Sequence, residues 1–372
     1  RRVGLVPALD LFLAGKAVSG RQALRMGLAD ALFPEAGFLH HVRDFARGKV
    51  GRKRSRRKPA GGLRRLFLDG PGGRWFVLDQ ARKKTLAASR GRYPAPLAAL
   101  EVVRIGLEKG PSAGFDAEAR AVRELAVSPT AKNLIHLFGL MEAAKKDGPG
   151  DAAPPPEVRR PAVLGAGVMG GGIAQLIADK TGLPVRVRDI QPAALSTALK
   201  HAAALFARQV QRRRLQPAEM RRRMALLQPT MEDGGLAGSD FVFEAVVEDL
   251  TVKQRLFADL SRHLAPTAIL ATNTSSLSID DIGQLASRRE RGVGMHGFNP
   301  VGKMPLVEVI AGSLTGEIAV RTATAFARRL GKTPVIVRDA PGFLVNRLLA
   351  FYSAEAMWLL DEGHRVEAID RA

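Results

Sequence analysis

A mostly parallel α/β sheet, doubly wound with helices on both faces, is the fold class this sequence predicts for its second half. Three observations predict it. From residue 161 onward, short apolar runs alternate with helical patterns. Those runs are near-continuously apolar, as strands buried on both faces are, rather than alternating in polarity. The first of them leads into a glycine-rich turn that opens a helix.

Taken in order, residues 1–48 alternate helical patterns with glycine breaks. SGRQALRMGLADALF predicts a helix capped by Ser19, with Gln22 three positions on, then a Gly-terminated turn and a short strand. Residues 49–60 are basic, carry Gly and Pro, and read as a linker. Residues 61–147 read as mostly helical. SPTAKNLIHLFGLMEAAKK (128–146) has Ser128 as cap, Pro129 at the first helical position, and Leu134, Leu137, Phe138 and Met141 on one face. His136 in that helix reads as a packing or surface histidine. DGPGDAAPPPE (147–157) is a semi-rigid linker and a domain boundary. The strands expected after it are 161–165, 185–189, 241–247, 268–272, 292–296, 306–310 and 333–337. From Phe343, FLVNRLLAFYSAEAMWLLDEG predicts one long amphipathic helix that stops at Gly363 and opens a further helical region. No internal repeat is evident.

The chain has 372 residues, 46% of them hydrophobic, enough for two or three domains. No apolar run reaches the length of a membrane helix. There is no Cys, which excludes disulfides and thiolate metal sites and fits a reducing, cytoplasmic setting. No metal site is expected. The sequence opens on Arg1 with a segment unlike a signal peptide, so the natural N-terminus is expected upstream. Lys and Arg total 57 against 36 Asp and Glu, a net charge of +21. The excess gathers in 51–65 and around 212–224. Aromatics are only 5% of the chain and sparse near both runs. The runs therefore read as solvated surfaces, and nucleic-acid binding is not expected.

AVLGAGVMGGGIAQLIADK holds Gly165, Gly167 and Gly170 in G-x-G-x-x-G spacing after a strand and before a helix. Gly165 suits a tight turn, Gly167 the approach of a pyrophosphate, and Gly170 close helix–strand packing. The first N–H groups of the helix, with its dipole, suit an anion. Asp189 ends the next strand, 24 positions after Gly165. Its carboxylate can accept from both ribose hydroxyls and would repel a 2′-phosphate, so the cofactor is read as NAD.

Strand ends on that edge are expected to deliver the reacting groups. ATNTSSLSI (271–279) leaves one strand with a cluster of hydroxyls, and MHGFNP (295–300) leaves the next with His296 and Asn299. Oxidising an alcohol by hydride transfer needs a base for the hydroxyl proton, and imidazole titrates in the right range. Glu308 in the following strand can hold the other ring nitrogen if the two strands are neighbours.

Together VLGAGVMGGGIA, FEAVVEDLTVK, NTSSL, MHGFNPVGKMPLVEVI and APGFLVNRLL resemble, in that order, the L-3-hydroxyacyl-CoA dehydrogenase domain of bacterial-type multifunctional fatty-acid oxidation alpha subunits. The resemblance covers about 159–360. It implies a Rossmann-type NAD-binding domain over 159–338 and the start of a helical C-terminal domain over 339–372. VPALDLFLAGKAVSGRQALRMGLADALF resembles the C-terminal end of an enoyl-CoA hydratase (crotonase-type) domain, implied for 1–48. GRYPAPLAALEVVRIGLEKG resembles the helical connector, implied with the basic linker for 49–158. The hydratase's catalytic residues lie upstream in the family.

The resemblance makes His296 the catalytic base and Glu308 its orienting carboxylate. It puts Ser275 near the substrate hydroxyl and nicotinamide, and Asn346 on the substrate. Cofactor contacts are implied for Gly165, Gly167, Met169, Gly170, Asp189, Val246, Val247, Glu248, Lys253, Ser275 and Asn299. Glu244 reads as a structural, paired carboxylate. One departure stands out: the family has two aromatics after the histidine, and here Gly297 precedes Phe298. Reduced activity or a changed acyl pocket is the expected consequence. The implied activity is NAD-dependent oxidation of L-3-hydroxyacyl-CoA to 3-oxoacyl-CoA in fatty-acid β-oxidation, within a hydratase/dehydrogenase; the resemblance brings a thiolase beta subunit in as a candidate partner, and the sequence leaves its recruitment open. The rival readings are a dehydrogenase of a free β-hydroxy acid and a catalytically silent NAD-binding scaffold.

Overall fold

The computed structural model describes residues 3–15, 17–50, 70–146 and 154–372. The basic run at 51–65 lies outside the described residues, as does most of the 147–157 linker. The chain divides into two compact units, 1–138 and 139–372.

The first unit is helical: α1 (Leu5–Leu13), α2 (Gly20–Met26), α3 (Phe38–Arg47), α4 (Pro71–Ser89), α5 (Pro94–Glu108), α6 (Pro111–Ala126) and the start of α7 (Pro129–Lys146). The capping box at α2 is present: Gln22 N–H donates to the Ser19 hydroxyl, and Ser19 N–H to the Gln22 carboxamide. Helices α5 and α6 approach closely because Gly106 and Gly114 meet backbone to backbone. The short strand expected after α2 is not formed. All strands among the described residues lie between 161 and 338, and a lone extended segment without a partner strand has no ladder to join. His136 is on the surface, as are Leu134, Leu137, Phe138 and Met141, which share a face but remain exposed.

The second unit carries an eight-stranded sheet: β1 (Pro161–Leu164), β2 (Val185–Arg188), β3 (Leu227–Thr230), β4 (Phe241–Glu244), β5 (Ile269–Thr272), β6 (Gly292–Gly297), β7 (Leu306–Ala311) and β8 (Thr333–Arg338). Their spatial order is β3-β2-β1-β4-β5-β6-β7-β8. Every neighbouring pair is parallel except β6–β7. The seven strands expected from the sequence are all present. The eighth, β3, reads LQPT, and Pro229 hides it from a strand search. It sits at the sheet edge, where a missing ladder donor is tolerated.

The connecting helices are α8 (Val168–Thr181), α9 (Pro192–Gln211), α10 (Pro217–Ala225), α11 (Leu250–His263), a single turn α12 (Ile279–Ile282) and α13 (Glu317–Arg329). Adjacent strand residues point to opposite faces, and both faces are covered. Val163, Phe241, Phe243, Ile269 and Val309 pack in one cluster with α8 and α13, and Ala162, Leu164, Val242 and Leu270 in another with α11. In the basic run, Arg212, Arg213, Arg214, Arg221 and Arg222 are exposed, while Arg223 pairs with Asp179 and Glu219. The terminal helix α14 runs Val345–Asp361, followed by a turn of helix at Val366–Ile369.

The strand order reverses between β1 and β4, so the carboxyl ends of these two strands flank a crevice. The site is built along that edge. Phe241 supports it from beneath: it is fully buried, with its ring centroid 4.9 Å from that of Phe326 and 6.4 Å from that of Phe243. Phe241→Ala is expected to cost about 3–5 kcal/mol, seen in urea unfolding as a lower midpoint with an unchanged slope.

Candidate active site

At the end of β1 the chain turns through Gly165, whose φ is 91°. A side chain there would be strained and would run into the carbonyl of Ala245 at the end of β4. A Cβ at Gly170 would collide with the Gly165 carbonyl. The two glycines therefore let the turn and α8 close on the strands. Gly167, the residue before α8, faces open space: a Cβ would meet nothing within 4 Å, and no side chain caps the helix there. Exposed N–H groups at a helix start with room in front of them fit a pyrophosphate. Asp189 follows β2, and its carboxylate accepts from Ala166 N–H at 2.7 Å and Gln191 N–H at 2.9 Å, tying the acid to the glycine turn. Val247 is exposed beyond β4, and Val246 is partly buried with its N–H on Glu244 Oε1 at 2.7 Å.

On the same edge β6 and β7 run antiparallel, with His296 directly opposite Glu308. Nδ1 of His296 lies 2.7 Å from Oε2 of Glu308. His296 is 6% exposed and Glu308 fully buried. A carboxylate only accepts, so Nδ1 donates in this contact and Nε2 is the ring nitrogen not engaged by Glu308. Phe298 and Phe343 pack on the imidazole at centroid distances of 4.5 and 5.9 Å. The other Glu308 oxygen accepts from Leu344 N–H and Val345 N–H, both at 2.9 Å, at the start of α14. The preceding pair, Gly342 (φ 72°) and Phe343 (φ 48°), makes the left-handed turn into that helix. For a phenylalanine this conformation costs about 1–2 kcal/mol; burial against Ile279 and Ile310 holds it.

The hydroxyl cluster leaves β5. Oε1 of Glu248 accepts from the Thr274 hydroxyl at 2.6 Å and Ser275 N–H at 2.8 Å, with the Ser275 and Ser276 hydroxyls at 3.4 Å. The Ser275 carbonyl accepts from Asn346 Nδ2 at 3.1 Å, so the serine loop and α14 are joined. Glu244 is the paired carboxylate expected from the sequence: Lys253 Nζ donates to both its oxygens, at 2.7 and 2.9 Å, and Thr272 donates at 2.6 Å. Lys253 is fully buried and also reaches Glu248 Oε2 at 3.3 Å. Burial pushes the Glu248 carboxyl up, but the Thr274 and Ser275 hydrogen bonds and the Lys253 ammonium outweigh it and hold it below its ordinary value.

His296, Glu308, Ser275 and Asn346 are thus linked through α14. Met169 reaches the same place: a Cβ on Gly297 would lie 3.9 Å from Met169 Cε and 3.8 Å from Asn273 Oδ1. Asn299 is exposed on the loop after β6. Asn273 and Thr274 were not singled out in the sequence. Asn273 Oδ1 accepts from Gly297 N–H at 3.1 Å and anchors the residue beside His296. The only signal for either was membership of the hydroxyl-rich run. No group of three or more metal-ligating side chains occurs among the described residues, and no described helix is long and apolar enough to cross a membrane.

Two measurements follow from these contacts. Gly297 has ordinary backbone geometry and only loose neighbours, so Gly297→Ala should change stability by less than about 0.5 kcal/mol; Gly165→Ala, strained and clashing, should cost at least about 2 kcal/mol, both read by urea unfolding. The depressed Glu248 carboxyl adds stability that is fully present above the ordinary value of 4.5 and is lost as pH falls through its lower folded value. Glu248→Gln should remove that acid-side loss, giving a flatter unfolding temperature as pH falls below 4.5.

Residues 160–340 match the family model described as 3-hydroxyacyl-CoA dehydrogenase, NAD binding domain. Among solved structures, the chain is 38% identical to a 3-hydroxybutyryl-CoA dehydrogenase of Escherichia coli, with a TM-score of 0.54, over 56% of this chain and 44% of that one. It therefore spans under half the length of that relative. It is 36% identical to FadB2 of M. tuberculosis, with a TM-score of 0.55, over 57% of this chain and 75% of that one. An (S)-3-hydroxybutyryl-CoA dehydrogenase of Ralstonia eutropha gives 35% identity, a TM-score of 0.55 and the same two coverages. A glycine turn ahead of a carboxylate-ended second strand, a buried His–Glu pair on the same sheet edge, and these likenesses lead to one conclusion: the chain belongs to the 3-hydroxyacyl-CoA dehydrogenase family, with NAD as its cofactor.

Proposed function

We propose that the chain oxidises L-3-hydroxyacyl-CoA to 3-oxoacyl-CoA in fatty-acid β-oxidation, as the dehydrogenase part of a longer hydratase/dehydrogenase. The observation that carries this reading is the 2.7 Å contact between His296 Nδ1 and Glu308 Oε2 at the sheet edge that also bears the glycine turn.

His296 Nε2 takes the proton of the 3-hydroxyl, and Glu308 stabilises the imidazolium that results. NAD, when bound, supplies the acceptor for the hydride leaving C3. The Ser275 hydroxyl and the Asn346 carboxamide position the alcohol and the thioester. Gly165, Gly167 and Gly170 admit the pyrophosphate, with Met169 beside it and Asp189 on the ribose. Val246, Val247, Glu248, Ser275 and Asn299 line the rest of the dinucleotide path, and Lys253, fully buried, acts there through Glu248. Residues 1–48 are read as the end of a hydratase domain, a thiolase beta subunit as the partner, and the cytoplasm as the setting. What supports a thioester rather than a free acid is the kind of substrate named for the E. coli and Ralstonia relatives.

His296→Gln keeps a hydrogen-bonding side chain but removes the base. It is expected to lower kcat for acetoacetyl-CoA reduction by about 10²–10⁴-fold with NADH affinity little changed, measured by steady-state rates and a fluorescence titration. Rates near wild type from the variant would remove His296 from the reaction. Equal use of free acetoacetate would assign the substrate to the free β-hydroxy acids, and NADH binding without turnover of either compound would leave a silent binding domain.

A further inference from the structure

We propose that Lys253 is a positioning residue: its buried ammonium fixes the Glu248 carboxylate, which holds the 274–276 loop and with it the Ser275 hydroxyl. The proposal rests on the reading of Ser275 as the hydroxyl that positions the alcohol. Lys253 lies on α11 and is fully buried, and its Nζ sits between two carboxylates. Glu244 alone would satisfy a buried ammonium in charge, and Glu244 is itself held by Val246 N–H and the Thr272 hydroxyl. The same ammonium nonetheless spans to Glu248, whose side chain is 36% exposed. The two Glu248 oxygens divide the work: Oε2 faces Lys253, and Oε1 faces the Thr274 hydroxyl and the Ser275 N–H. Ser275 in turn takes Asn346 on its carbonyl, so the position of the loop is shared with the start of α14. A charge-assisted contact on one oxygen sets the direction of the other. Removing the cation frees the carboxylate to turn toward solvent and releases the loop.

The test compares the wild-type chain with Lys253→Met and Lys253→Arg. Hydrogen exchange of the 273–277 amides is expected to quicken by at least about tenfold in Lys253→Met and to return toward wild type in Lys253→Arg. At saturating NADH, kcat with acetoacetyl-CoA is expected to fall by at least about tenfold while the NADH Kd stays within about threefold. Unchanged exchange in the loop overturns the proposal. So does a Kd weakened about tenfold with kcat retained, which would make Lys253 a cofactor contact only. Where Lys253→Met alone does not fold, the charge-balanced Glu244→Gln/Lys253→Met pair carries the same expectations, since it removes the cation without leaving Glu244 unpaired. The exchange readout decides the proposal even where the wild-type chain turns over no thioester, so its failure is distinct from that of the dehydrogenase reading.

Discussion

One reversed strand sets up the chemistry of this protein. Had β7 run parallel to β6, a crossover helix would separate them in sequence, and Glu308 would lie in a different register. Because β7 is antiparallel, a loop of eight residues (298–305) returns the chain and places Glu308 opposite His296. The carboxylate is fully buried, a state tolerated only with partners for both oxygens. One goes to the imidazole and the other to two N–H groups at the start of α14. Those donors stand at a helix N-terminus, where the backbone dipoles favour an anion. His296 and α14 therefore share a single anchor, and neither can shift without disturbing it.

The second buried charge group works at the other end of the same edge. Glu244 ends β4, Lys253 sits one turn into α11, and Glu248 leaves the intervening loop toward the hydroxyl cluster. A buried ion pair often adds little to stability beyond offsetting its own desolvation. What it supplies is direction: a carboxylate pinned on one side presents its other oxygen to the Thr274 hydroxyl and the Ser275 N–H. The two carboxylate systems meet at Asn346, which stands one residue beyond Val345 and donates to the Ser275 carbonyl.

Most of the strands were legible in the sequence because a strand buried on both faces is largely apolar, and VLG, FVFE, ILAT and LVEVI are such runs, charged only at Glu244 and Glu308. The glycine turn was legible because few residues can adopt a φ near 90° at Gly165 or tolerate the Gly165 carbonyl against Gly170. Edge strand β3 was not legible, since Pro229 weakens its pattern and its place depends on pairing with β2 alone. The strand expected after α2 failed for the complementary reason: extended residues need a neighbour, and periodicity does not reveal whether one exists. The roles of Asn273 and Thr274 were hidden in a run of hydroxyls, where composition does not tell which side chains turn inward.

By itself the sequence determined the order of most of the elements, the nucleotide-type turn, the acid at the end of β2, and the candidate base with its carboxylate. These depend on local properties: backbone permission at glycine, apolar runs, and side-chain chemistry at strand ends. Tertiary structure alone decided that His296 and Glu308 are cross-strand neighbours, that Glu308 also caps α14, and that Lys253 is buried between two carboxylates. Each of those facts joins residues from different strands or helices. Their meeting depends on strand order and direction, which no single segment of sequence encodes.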